Sequence, residues 1–152
     1  MCFWKKKKKK SDVRKIYKTT DGYFTDNAAS KKPRRVAVVD QRKDDGALAV
    51  VKIYSKKDKK GKAYIDKLVL RPKKHSSLAE DSIVGSQIHV GRKSKDGQYK
   101  AIFAREMKPT KDKLTKKEHR TVKKKGGGKT KQNKKTTKRK IKLWKKHFKG
   151  KK

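Results

Sequence analysis

A mainly β fold, a small barrel or sandwich with basic segments on either side, is what this chain of 152 residues predicts. Two observations carry that expectation. Apolar residues make up 30% of the chain, against roughly 45–50% in ordinary globular domains, so a core forms only where they concentrate. They gather in five short runs at 36–39, 47–54, 68–70, 83–90 and 101–104, separated by turn-forming residues, as in antiparallel all-β architectures. Charge draws the same boundaries. Lys and Arg number 52 against 14 Asp and Glu, a formal +38. Residues 33–107 carry 19 bases and nine acids, whereas 108–152 carry 22 bases and two acids, and 1–32 carry 11 bases and three acids. The expected organisation is a basic N-terminal lead over 1–32, a β core over 33–107 and a Lys-rich extension with short helices over 108–152.

The elements follow in order. Lysines 5–10 form a like-charge block that stays solvated. A short strand fits 13–17, and Asp21-Gly22 marks a turn. Residues 35–40 are β-branched and nearly all apolar, the pattern of a strand buried on both faces. Asp44-Asp45-Gly46 turns the chain into a second strand over 47–55, making a hairpin. A charged loop over 56–62 precedes a strand over 63–70, which Pro72 closes. The polar loop 74–82 has room for one helical turn, with Glu80 and Asp81 as capping acids. Strands are expected over 83–90, where Gly85 marks a bulge or close approach, and over 99–105 after the Asp96-Gly97 turn. Thr115 and Glu118 have capping-box spacing, which predicts a helix over 116–125 stopped by three glycines at 126–128. Ile141, Trp144 and Phe148, with Leu143 alongside, then form the apolar stripe of a basic amphipathic helix.

A field this positive draws in polyanions and releases their counterions, so nucleic acid is the expected partner. No run approaches the roughly 20 apolar residues of a membrane span, and no membrane partner is expected. The opening Met1-Cys2-Phe3-Trp4 precedes its lysines, the reverse of a secretory signal. One cysteine allows no internal disulfide, and four scattered histidines make no ligand pattern. A reducing cytoplasm is expected, with neither metal nor cofactor.

The stretches KPRRVAVVD (32–40), ALAVVKIYS (47–55) and LVLRPKKHSSLAEDSIVGSQI (68–88) together resemble the MazF/PemK family of toxin endoribonucleases. The matching features are an Arg opening an apolar strand, a second apolar strand ending in a hydroxyl residue, and a loop running into Gln-Ile. Asp12-Val13 replaces the family's Gly-Asp-aromatic opening, Val36 replaces a Pro, and the lysine-rich tail has no counterpart in compact members. The resemblance implies an SH3-like β-barrel, a homodimer, single-stranded RNA as substrate and a cognate acidic antitoxin as partner.

Metal-free RNA cleavage uses the neighbouring 2′-OH as nucleophile and builds charge on a crowded phosphorane. A guanidinium matches that charge bidentately. Arg35 is the catalytic arginine the resemblance implies, and Ser55 the hydroxyl that orients the phosphate. Arg34, Lys52, Lys73, Lys74, His75 and Trp144 are the expected RNA contacts, and His75 has the chemistry of an acid or base. The competing expectation is a non-catalytic nucleic-acid binder on an SH3-like barrel, with these bases belonging to its surface. In a third reading the lysines serve only solubility.

Overall fold

The computed structural model describes residues 11–20, 33–43, 45–58, 64–93, 99–127 and 131–149. Cys2, the lysine block at 5–10, the Asp21-Gly22 turn, Asp44 and the Asp96-Gly97 turn lie outside them.

The mainly β expectation holds. In chain order the strands are β1 (Lys15–Thr20), β2 (Pro33–Gln41), β3 (Leu48–Ser55), β4 (Tyr64–Leu70), β5 (Ser82–Gly85), β6 (Arg92–Lys93), β7 (Tyr99–Lys100) and β8 (Lys108–Lys113). Two helices follow, α1 (Lys116–Lys125) and α2 (Lys131–Lys149). Six strands form one antiparallel sheet in the order β4-β5-β3-β2-β1-β8, and among the described residues β6 pairs only with β7. The sheet thus takes one strand from 1–32 and another from 108–152.

The hairpin read from the sequence is β2–β3, paired from Arg35 opposite Ile53 to Gln41 opposite Leu48. Gly46 closes it at φ 81°, a left-handed conformation that glycine adopts without a Cβ penalty. Burial on both faces also holds. Ala37, Val39, Ala49, Val51 and Ile53 enter one apolar cluster, and Val36, Val38, Leu48 and Val50 enter another. The strand's two-residue period divides the hairpin between two cores. The register slips at Val39, and the His119 ring of α1 donates from Nε2 to its carbonyl at 2.8 Å.

The expected barrel is not closed. Strands β4 and β8 stand at opposite edges and are not paired with each other. The chain leaves β8 through Leu114 into α1, which packs against both β2 and β4. Leu114 and Val122 bury in the same cluster as Ile65, Leu68 and Leu70, so side chains fill the space that strand pairing would otherwise close. Exposed Lys108, Lys111 and Lys113 also guard the β8 edge against further pairing.

Two expected strands are short. The segment 83–90 pairs only as Ser82–Gly85, after which His89 makes an isolated bridge to Val50. The segment 99–105 pairs only over Tyr99–Lys100. Ile102 then turns onto the second core, and its carbonyl accepts the Leu48 N–H at 2.8 Å. Helix α1 spans the predicted residues with a complete capping box: Thr115 Oγ1 accepts from Glu118 N at 3.1 Å, and Thr115 N donates to Glu118 Oε1 at 2.8 Å. Among the described residues no helix is long and apolar enough to cross a membrane.

Candidate nucleic-acid interface

Arg35 and Ser55 lie at the open end of the β2–β3 hairpin, where β2 begins and β3 ends. Arg35 faces Ile53, and Ser55 follows Ile53 by two residues, so the alternation puts both side chains on one face. The structure therefore brings the expected catalytic pair to one sheet face. Arg35 Nε is buried with no hydrogen-bond partner among the described residues. Ser55 is engaged: its hydroxyl donates to Glu80, whose other carboxylate oxygen lies 3.4 Å from Lys57 Nζ. The Ser55 hydrogen bond holds the Glu80 carboxyl below its ordinary value against burial, with help from the Lys57 charge. Arg34 projects to the other face. It is 8% exposed, stands 4.6 Å from the Tyr54 ring centroid and donates to the Ile53 carbonyl at 3.3 Å.

His75 is enclosed rather than presented. The loop between β4 and β5 winds around it, leaving Lys73 and Lys74 exposed and the imidazole at 0% exposure. Nδ1 lies 2.8 Å from Asp112 of β8, and Nε2 lies 2.9 Å from Glu118 of α1. Ser77 Oγ donates to the second Asp112 oxygen at 2.6 Å. Burial by itself would lower the His75 pKa, but hydrogen bonds to Glu118 and Asp112, with their charges, raise it above the ordinary value. An imidazolium donating from both nitrogens fits this site, and it fastens a loop, an edge strand and a helix together. Such a group cannot touch a polymeric substrate. Asp112 escaped the sequence reading, although an acid in a segment with 22 bases and two acids was a signal.

Trp144 lies at the other end of the hairpin. From Arg35 to Gln41 the strand covers about 20 Å at roughly 3.4 Å per residue, so the expected RNA contacts do not form one patch. Arg42, next to the turn, binds both Asp45 oxygens at 3.1 and 2.9 Å and donates to the Trp144 carbonyl at 3.4 Å. Its guanidinium sits 4.9 Å from the Trp144 ring centroid. Ile141 and Trp144 pack against the first core, whereas Leu143 is 59% exposed. The Phe148 side chain lies outside the described residues. Helix α2 carries ten bases and no acid in 19 residues. Lys52, on β3, lies close enough to His89 to act on its charge, as does Lys140 of α2. Burial first, then these two cations, press His89 down to about 4 and keep it neutral at pH 7. From the sequence, His89 reads only as a residue within the strand expected over 83–90.

Among the described residues no cluster of three His, Cys, Asp or Glu side chains could hold a metal ion. Comparison with protein-family models, curated proteins and solved structures gives no significant match.

Proposed function

We propose that this protein binds single-stranded RNA, with α2 and the sheet beside it as the principal contact surface. Helix α2 is the observation that carries the reading: ten bases and no acid in 19 residues, held to the sheet through Ile141, Trp144 and the Arg42 bridge. Over about 28 Å of helix, that charge matches a polyanion, and phosphate contacts of this kind dominate nucleic-acid affinity. Single-stranded RNA is chosen because the stretches resembling the MazF/PemK family fall on β2, β3 and β4–β5. An SH3-like relationship for the sheet belongs to the same proposal. The test is fluorescence anisotropy with single-stranded RNA, single-stranded DNA and duplex RNA of matched length near physiological salt. Tightest binding to single-stranded RNA is the expected result. Equal affinity for all three would leave only generic charge attraction, and no binding would end the reading.

A second reading, a metal-independent endoribonuclease, is favoured by Arg35 and Ser55 sharing one face with Glu80 hydrogen-bonded to Ser55. A homodimer and an acidic antitoxin belong to it. RNA should then be cut with EDTA present, leaving a 2′,3′-cyclic phosphate, while DNA survives for want of the 2′-OH. Arg35→Ala should lower the rate by about 100-fold or more, as loss of an oxyanion donor does, with binding nearly unchanged. Intact RNA across varied sequences would sink this second reading and leave the first standing.

A further inference from the structure

A groove of about 630 Å³ runs between α2 and the sheet, lined in part by Arg42, His89, Val90, Lys100, Lys140 and Trp144. Its volume falls in the range of small-molecule sites, roughly 300–1,000 Å³. Among the described residues no carboxylate lines it. Lys100 and Lys140 are exposed there, while Arg42 is committed to Asp45 and to holding Trp144. Val90 and the indole supply apolar surface. The Trp144 Nε1 is buried and has no hydrogen-bond partner among the described residues. Buried donors are nearly always satisfied, and this one belongs to a residue that lines the groove.

We infer that this groove is a nucleotide subsite: one nucleotide of a bound strand seats there, its phosphate between Lys100 and Lys140 and its base accepting from Trp144 Nε1. The inference rests on the RNA-binding reading and adds where a single nucleotide is gripped. Charge complementarity selects an anion, and the apolar wall with one fixed donor selects an anion that carries a flat heterocycle. Inorganic phosphate would use only the lysines. His89 stays uncharged at neutral pH and so adds no positive charge of its own to the groove floor.

The experiment uses the full chain. Adenosine 5′-monophosphate and inorganic phosphate are titrated while the indole N–H signal of Trp144 is followed by NMR, with Trp4→Phe to assign it. The nucleotide should move that signal, and phosphate alone should move it far less. Affinity for single-stranded RNA is then compared between Lys100→Glu/Lys140→Glu and a charge-matched pair on the β8 edge, Lys111→Glu/Lys113→Glu. The groove pair should lose about tenfold more than the edge pair, because only the groove pair reverses the charge that meets the seated phosphate. Trp144→Phe, which keeps an aromatic ring and removes the donor, should weaken the nucleotide several-fold. If RNA binds but the two pairs lose equally and the indole signal stays still, the subsite is overturned and the RNA reading survives. If no RNA binds to the unaltered protein, both fall together.

Discussion

His75 and His89 titrate in opposite directions, and the difference follows from what surrounds each ring. His75 lies between two carboxylates, and its pKa is raised. Its stabilisation is fully present below the unfolded value, about 6.5, and is lost as pH rises through the folded value. His89 is lowered to about 4 by burial and by Lys52 and Lys140. Its contribution is present above the unfolded value and disappears as pH falls towards about 4. Stability should therefore peak near pH 6–7 and decline on both sides, as urea midpoints across pH would show. His75→Ala leaves Asp112 and Glu118 facing each other without a cation, at a cost of about 3 kcal/mol or more, and should remove the alkaline decline. A midpoint that still falls with rising pH in that variant would contradict the assignment.

At the scale of the element, α1 and α2 are held by different physics. Helix α1 has a complete capping box, a buried Val122 and an ion pair through Glu118 to His75. Thr115→Ala should cost about 1 kcal/mol, the usual worth of an N-cap. Helix α2 has like charges four residues apart, Lys134 with Lys138 and Lys138 with Lys142, each pair unfavourable by about 0.2–0.5 kcal/mol. Its attachment rests on Ile141, Trp144 and the Arg42 bridge. Trp144→Ala should therefore lower the helical circular dichroism while leaving the urea midpoint of the sheet nearly unchanged, and added RNA should restore part of the signal by screening the repulsion. An unchanged helical signal would show that α2 holds without this anchor.

For the whole molecule, the arrangement of charge sets how binding responds to salt. Each phosphate neutralised on a single strand contributes roughly −0.7 to the slope of log affinity against log salt. Removing 131–152 takes away α2 but spares Val122 and the Gly127 N–H bond to the Ser86 carbonyl. The slope should flatten by several phosphates while the sheet stays folded. An unchanged slope would place the contact elsewhere, on the exposed Lys73–Lys74 loop or the β8 edge.

Local pattern determined much of this protein. The β2–β3 hairpin, its burial on both faces, β4, the extent and cap of α1, and the Ile141–Trp144 stripe were all legible, because apolar periodicity and capping spacing act within a few residues. The charge partition was legible for the same reason. Tertiary structure alone decided the rest. It left the sheet open, because Leu114 and Val122 fill the space between its edges. It ended β5 at Gly85 and sent Ile102 onto the second core. It enclosed His75 with Asp112 and Glu118, residues 37 and 43 positions away. It also separated Arg35 from Trp144 by the length of a hairpin. Each outcome depends on which distant segments share a space, and neither residue type nor spacing along the chain encodes that.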